Sequence, residues 1–436
     1  MPQLQRIQIG GYRPFRRLEL NVDSLQLFVG SNGSGKSSLF EFLRVLRDGM
    51  EADIPPAIAP GAAGKSIFHA ATKESALRWS LRFQHPDHKD DVLQYDGELL
   101  GPVGQVQITE EFVRELSSRR GAENTTLHED AVLMEMKRGK GELRSPEPSG
   151  DDGDDVDWQL RPMALRSPRR LALGEVQNIL DFPETSTLAN SIASWAFIDG
   201  LGFNLEAMRQ PATIEQDARL AEDGANLSAV LFQLQTEHPQ IFERVERRMR
   251  SFVASFGRLK VKAQGAPGQV LAFLKEPGLD QQLSLGDLSD GILRLLALTV
   301  LCYQPKPPPL ICIDEPVQGV HPRTVPILAG MFQKLATRTQ VFLITHSPYF
   351  LSQFDVRDIV VFTRRDGQTL AHLPADSQAL IANLDEFGTE ELSQLHRTNE
   401  LAMLAPPIEP TSTDEDIEQR GPKTGPSSDE TQENGP

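Results

Sequence analysis

Apolar and polar positions alternate along the first twenty residues. Leu4–Ile9 and Arg16–Leu20 flank Gly10-Gly11 and Pro14, which predicts a β-hairpin. Leu25–Val29 is a short apolar run ending at Gly30. From Ser38 to Arg47 the period changes: Leu39, Phe42, Leu43 and Leu46 recur at helical spacing. The order is strand, glycine-rich loop, helix. Leu77–Phe83 alternates again and predicts a strand. Between about His85 and Leu171 the pattern weakens into charged, helix-like pieces, and we expect an insertion there with a flexible loop. Helical periodicity returns at Leu227–Thr236, with Asn226 as its start, and at Ile241–Phe252. Gly291–Tyr303 is a strongly apolar helix. Leu310–Ile313 and Val341–Ile344 are apolar runs too short for helices, and Pro326–Ala336 between them reads as a helix. That sequence predicts a parallel βαβ unit, with Ile359–Phe362 as a further strand.

The expected fold class is α/β. Residues 1–84 form an N-terminal lobe with a mixed sheet. Residues 85–171 are an insertion. Residues 172–405 form a lobe of parallel strands flanked by helices. Residues 406–436 form a disordered tail rich in Pro, Ser, Thr and acids.

Charge alters this picture little. The chain has 436 residues, with 44 Lys and Arg against 61 Asp and Glu, a net charge of −17. Such acidity would argue against nucleic acid if it were evenly spread. It is not. Residues 147–157 carry −6, and residues 409–436 carry another −6. The remaining −5 is compatible with a nucleic-acid partner. Arg161, Arg166, Arg169 and Arg170 make a basic segment that either touches phosphates or forms a solvated face. No apolar run reaches the ~18 residues of a membrane helix. The N-terminus lacks a basic-then-apolar leader. Only Cys302 and Cys312 occur, which excludes a disulfide framework. We expect a cytoplasmic protein without a membrane partner.

The chemistry concentrates in four places. Gly30-Ser31-Asn32-Gly33-Ser34-Gly35-Lys36-Ser37 fits the phosphate-loop spacing G-x-x-x-x-G-K-[ST]. Glycines let backbone N–H groups point at phosphate oxygens. Lys36 would reach the β- and γ-phosphates, the Ser37 hydroxyl would hold Mg2+, and the helix from Ser38 adds its positive end. Gly61-Ala62-Ala63-Gly64-Lys65-Ser66 lacks this spacing and reads as a loop. Leu310–Ile313 ends in Asp314-Glu315-Pro316. Two acids at a strand end suit a metal held through Asp314 and a water oriented or deprotonated by Glu315; alone, they would also suit a structural salt bridge. Ser289-Asp290-Gly291 opens the apolar helix. Ser289 is a good N-cap, and the same residues could face a phosphate. His346, in Thr345-His346-Ser347-Pro348, is either a structural histidine or a γ-phosphate contact.

As an ordered set, these motifs resemble the ABC-type ATPases. Within them they resemble the RecF/SMC-like branch of AAA-family ATPases, OLD/RecF-related heads here without a nuclease domain. Asn32, Leu288–Arg294, His321-Pro322 and the stretch Leu220–Leu227 favour that branch. The resemblance covers about Leu4 to Phe362 apart from the insertion. It implies an ATPase using ATP and Mg2+ and working as a head-to-head homodimer. Each nucleotide would lie on one copy's Gly30–Ser38 and under Ser289 and Gly291 of the other. Glu315 would be the catalytic carboxylate, His346 the switch histidine and Lys36 the phosphate lysine, with His321 near the dimer interface. Val317 replaces the Glu usual in relatives and Ile292 the common Thr. Gln84, at a strand end, is the candidate Mg2+-contacting glutamine, with an ordinary surface glutamine as its alternative.

The resemblance implies two outputs. One is a DNA-associated ATPase of repair, recombination or genome defence, with Arg244, Arg247, Arg248 and Arg250 as a candidate DNA surface or a solvated helix face. The other is an ATP-driven switch acting on a separate effector protein without touching DNA. About sixty residues separate His346 from the acidic tail, too few for a nuclease domain. A transporter subunit would carry Ser-Gly-Gly-Gln and a shorter gap before it. A module that binds ATP without turnover sits poorly with Lys36, Asp314 and Glu315 together.

Overall fold

The computed structural model describes residues 2–54, 68, 76–86, 88, 90–101, 106–120, 125–146, 158–387, 390–397 and 400–408. The Gly61–Ser66 loop, the 147–157 acidic run and residues 409–436 of the tail lie outside the described residues.

A six-stranded sheet forms the centre. Its order is β10 (Ala196–Asp199), β15 (Leu310–Asp314), β16 (Gln340–Ile344), β3 (Leu25–Gly30), β17 (Ile359–Arg365) and β18 (Gln368–His372). All neighbours are parallel except the β17–β18 hairpin. The apolar runs predicted at 25–29, 310–313, 341–344 and 359–362 are its four central strands. Because side chains alternate across a strand, each run feeds two cores. Leu27, Val29, Ile311, Ile313, Val341, Leu343, Ile359 and Val361 face one. Phe28, Leu310, Cys312, Phe342, Ile344, Val360 and Phe362 face the other. Continuous apolar sequence is what a sheet covered on both faces requires, each such side chain contributing roughly 1.5–3 kcal/mol.

The first core is closed by α4 (Leu227–Glu237), α5 (Pro239–Phe252), α6 (Asp290–Tyr303) and α7 (Val325–Ala336). A small antiparallel sheet of β11 (Ala212–Thr213), β13 (Gln269–Lys275) and β12 (Arg258–Ala263), with β14 (Leu283–Ser284) beside β13, completes that side. Short α3 (Leu205–Met208) and α8 (Pro348–Leu351) and the C-terminal α9 (Gln378–Phe387), α10 (Glu390–Arg397) and α11 (Glu400–Leu404) finish the lobe.

The second core lies under α1 (Lys36–Glu51), α2 (Pro183–Ala193) and an eight-stranded antiparallel sheet. Its order is β2 (Phe15–Asn21), β1 (Leu4–Tyr12), β4 (Ala76–Gln84), β5 (Val92–Leu100), β6 (Gln107–Arg120), β7 (Thr125–Lys137), β8 (Lys140–Pro146) and β9 (Trp158–Ala164). Here the structure corrects the sequence reading. The described part of 85–171 holds strands, not helix-like pieces, and they extend the hairpin's own sheet without a break. The charges that hid the alternation are cross-strand pairs: Arg78–Glu98 and Arg114–Asp96, each at 2.6 Å. Glu111 on β6 is fully buried and accepts bonds from the Ala172 and Leu173 amides and the Tyr95 hydroxyl. It ties the sheet to the segment under α1, and burial pushes its carboxyl up to about 7. Among the described residues, no helix is long and apolar enough to cross a membrane.

Candidate active site

The site is built where the parallel strands end. β3 stops at Gly30, whose φ of 142° belongs to glycine. A Cβ there would lie 2.1 Å from the Phe362 carbonyl oxygen on β17. Gly35, at φ 107°, turns the chain into α1, and Leu39 closes the first turn by donating to the Gly35 carbonyl at 3.1 Å. Ser31, Asn32 and Gly33 form an exposed rim, while Ser34, Gly35 and Lys36 are buried beneath it. Lys36 Nζ donates 2.9 Å hydrogen bonds to the Gly30 and Ser31 carbonyls. Burial lowers its pKa, opposed by Asp314 and Glu315. Thr369 on β18 braces the loop from behind, donating from Oγ1 to the Ser34 carbonyl at 2.6 Å.

β15 delivers the acids. Ser37 Oγ lies 3.3 Å from Asp314 Oδ2. Burial raises the Asp314 pKa, with the Ser37 bond opposing it. Glu315 adopts φ 53°, a left-handed conformation that costs a non-glycine residue about 1–3 kcal/mol. Its amide donates to the Ile344 carbonyl at 2.9 Å, which fixes the turn to β16. Burial, first, and then the charge of Asp314 push its carboxyl up to about 7, against a bond from the His346 amide. His346 Nε2 is 4.0 Å from Glu315 Oε1, and burial and then Lys36 lower the His346 pKa.

Lys36, Ser37, Asp314, Glu315 and His346 are thus gathered at one end of the sheet. The donor set fits a nucleotide phosphate and Mg2+. Ser34 Oγ and Glu315 Oε1 are both buried without a hydrogen-bond partner among the described residues, and the loop is hollowed by glycines. Ser37 and Asp314 are the groups that would hold the metal.

Gln84 is not brought to this site. Its amide donates to Gln3 at 2.8 Å, next to Leu4, which exchanges hydrogen bonds with the Gln340 side chain. Gln340 begins β16, whereas Ile344 at the other end pairs with Asp314. Gln84 therefore lies at the amino ends of the parallel strands, away from Ser37 and Asp314. A strand end read from sequence does not say which end of the sheet it meets.

Ser289 and Gly291 are set elsewhere. Ser289 is exposed and caps α6 through the Ile292 amide at 3.5 Å. A Cβ on Gly291 would stand 3.3 Å from the Gly319 carbonyl oxygen. The pair abuts the 317–320 segment rather than its own phosphate loop. His321 is exposed and accepts from the Arg323 amide at 3.2 Å.

Two neighbours escaped the sequence reading. Asp199 pairs in register with Asp314 and raises the pKa of both Asp314 and Glu315. Its signal was a short apolar run ending in Asp-Gly, Phe197–Gly200. His396 on α10 lies close enough to His346 and Lys36 to feel both charges; nothing in the sequence pointed to it.

Two family models match the chain. One, described as "AAA domain, putative AbiEii toxin, Type IV TA system", covers residues 154–352. The other, "AAA ATPase domain", covers residues 3–96. A stretch of 116 residues is 32% identical to the "Putative ABC transporter ATP-binding protein" of Streptomyces coelicolor, covering 26% of this chain and 20% of that protein. A stretch of 98 residues is 32% identical to the "DNA replication and repair protein RecF" of Actinobacillus pleuropneumoniae, covering 22% of this chain and 27% of that protein. The chain thus spans about a fifth to a quarter of the relatives it matches. The Smc head domain from Pyrococcus furiosus, solved with an extended coiled coil and the C-terminal domain of ScpA, aligns over 88% of this chain and 100% of that chain at 12% identity, with a TM-score of 0.49. The family models and the sequence relatives support the resemblance to RecF/SMC-like ABC-type ATPases.

Proposed function

We propose that this chain binds ATP on Gly30–Ser38 and hydrolyses it, and that two copies close head to head around the nucleotide. The observation that carries the reading is Glu315. It is a carboxylate held in a costly backbone conformation, with one buried oxygen that has no hydrogen-bond partner among the described residues, beside His346 and Lys36 and one residue after a metal-ligand candidate. A group whose pKa is about 7 can take a proton from water near neutral pH.

In this mechanism Glu315 orients the attacking water and accepts its proton. The water oxygen bonds to the γ-phosphorus as the bond to the β–γ bridging oxygen breaks, and ADP leaves as an anion. Lys36 and the loop amides stabilise the charge on the phosphates. Bound Mg2+, held by Ser37 and Asp314, would supply further charge neutralisation. His346 contacts the γ-phosphate side, and Ser289 and Gly291 serve the nucleotide of the second copy.

Single-turnover phosphate release tests the chemistry. Wild type should release phosphate and Glu315→Gln should not. Lys36→Ala should fail to bind ATP. Glu315→Gln with ATP should run as a dimer by light scattering. A wild type that releases no phosphate would sink the ATPase reading, and an ATP-loaded mutant that stays monomeric would sink the head-to-head one.

For the output we carry over the RecF relative's printed role and propose action on DNA from a cytoplasmic location. Arg244 and Arg247 stand exposed on α5, while Arg248 bonds the Tyr303 hydroxyl and Arg250 the Gly257 carbonyl. The DNA surface therefore rests on the first two more than on the helix as a whole. ATP-loaded Glu315→Gln should retain duplex DNA with a steep salt dependence. Retention of a co-purifying protein without DNA would favour the effector-switch reading instead.

A further inference from the structure

The segment 199–209 connects two places that the proposed mechanism keeps separate. At its start, Asp199 lies in register with Asp314, and the Gly200 amide donates to the Asp314 carbonyl at 2.7 Å. Gly200 is pressed so close that a Cβ would meet the Glu315 carbonyl oxygen at 2.1 Å. At its end, Arg209 follows α3, and its Nη2 donates to the Leu288 carbonyl at 3.1 Å and to Asp290 Oδ1 at 2.6 Å. Those acceptors bracket Ser289. The path is closed by a second arginine: Arg294, one turn into α6, donates to the Gly200 carbonyl and packs beside Gly319.

We propose that residues 199–209 form a strut, fastened by Arg209 and Arg294, through which the state of Asp314–Glu315 sets the position of Ser289-Asp290-Gly291. This makes Arg209 and Arg294 positioning residues; neither touches the phosphate loop of its own chain. The proposal rests on the reading that Ser289 and Gly291 serve a second copy's nucleotide. The physical argument is stiffness. Gly200 is clamped between the backbone of β15 and the guanidinium of α6, so a shift at Glu315 cannot be absorbed locally. Arg209 Nη1 donates to the Leu205 carbonyl at 3.2 Å while Nη2 serves the Leu288 and Asp290 acceptors, so the planar fork ties α3 to the start of α6 in a fixed direction that a single ammonium cannot reproduce.

The experiment is hydrogen–deuterium exchange on the full chain, diluted until light scattering shows monomer, with and without AMP-PNP and Mg2+. In wild type the nucleotide should slow exchange at residues 30–38 and also at 288–293. In Arg209→Ala the first effect should remain and the second should fall about tenfold, the size expected for losing a charge-assisted bond. Arg209→Lys should fall between. If Arg209→Ala loses its fold by circular dichroism, Arg209→Lys and Arg294→Lys decide the matter. Equal protection of 288–293 in wild type and variants would overturn the proposal, as would no nucleotide response there in wild type. Because exchange is read on monomers, a failure of ATP-driven dimerisation is seen separately, in the light scattering of Glu315→Gln.

Discussion

Removing the charge of Glu315 should make the nucleotide-free protein more stable, and only at the right pH. Burial raises the carboxyl from its ordinary 4.5 to about 7. The folded protein therefore holds this proton more tightly than the unfolded chain. That contribution is fully present below about pH 4.5 and is lost as pH rises through about 7. Above that, folding must keep a poorly solvated carboxylate. At about 1.36 kcal/mol per tenfold change in proton affinity, the full displacement corresponds to about 3.4 kcal/mol. Water still reaches one side of the group, so screening reduces this to about 1–2 kcal/mol. Glutamine keeps the size and the backbone cost but never ionises. The melting temperature of Glu315→Gln relative to wild type should therefore change little near pH 4.5 and rise by about 1–2 °C by pH 8.5. Differential scanning calorimetry of both proteins without nucleotide, at a fixed heating rate, measures this directly. Taking the difference cancels groups remote from residue 315 that titrate in the window, such as Glu111 at about 7 and Asp358 at about 6. A difference that stays flat across pH, or a mutant less stable at pH 8.5, would show that the Glu315 carboxylate is not destabilised by burial.

Two further substitutions probe how the loop is held. Gly30→Ala would drive a Cβ to 2.1 Å from the Phe362 carbonyl oxygen at φ 142°, forcing β3 away from β17; urea unfolding should show a loss of more than about 2 kcal/mol, and ATP binding should be lost with it. Thr369→Val keeps the shape but leaves the Ser34 carbonyl without its 2.6 Å donor. It should cost about 1–3 kcal/mol by the same method, and it should raise the KM for ATP more than it lowers kcat.

That Lys36, Ser37, Asp314 and Glu315 would meet was legible because the proposed chemistry dictates residue type and spacing within a few positions. The four central strands were legible because burial on both faces leaves only apolar sequence. What stayed hidden depended on distant pairing. β10 and β15 are more than a hundred residues apart, so nothing local tells that Asp199 will stand beside Asp314. Gln84 was read correctly as a strand end and sent to the wrong end of the molecule, because the direction of β4 relative to β16 is a tertiary fact. In the stretch after His85, Glu98 stands across from Arg78 on the preceding strand and Arg114 pairs with Asp96, so opposite charges face each other across strands. Read along the chain, such charges break the alternation and suggest exposed helix.

These features together explain why the resting site is strained. Lys36 satisfies its ammonium with the carbonyls of its own loop, while Ser34 Oγ and Glu315 Oε1 lie buried without partners among the described residues. On the proposed reading, the Lys36 and Ser34 arrangements suit a site that receives anionic oxygens, and the Glu315 oxygen suits one that receives a donating water. A phosphate offers Lys36 and Ser34 better acceptors than the loop provides. A water donating to Glu315 would relieve the unpartnered oxygen, and its proton would have an acceptor near neutral pH. On the proposed function, the cost of the resting conformation, including the 53° φ of Glu315, would be recovered when substrate is present. Binding free energy would then have a direct route into backbone change at residue 315. Gly200 touches that same backbone, so the first element to feel the change is the segment that leads to Arg209 and Ser289.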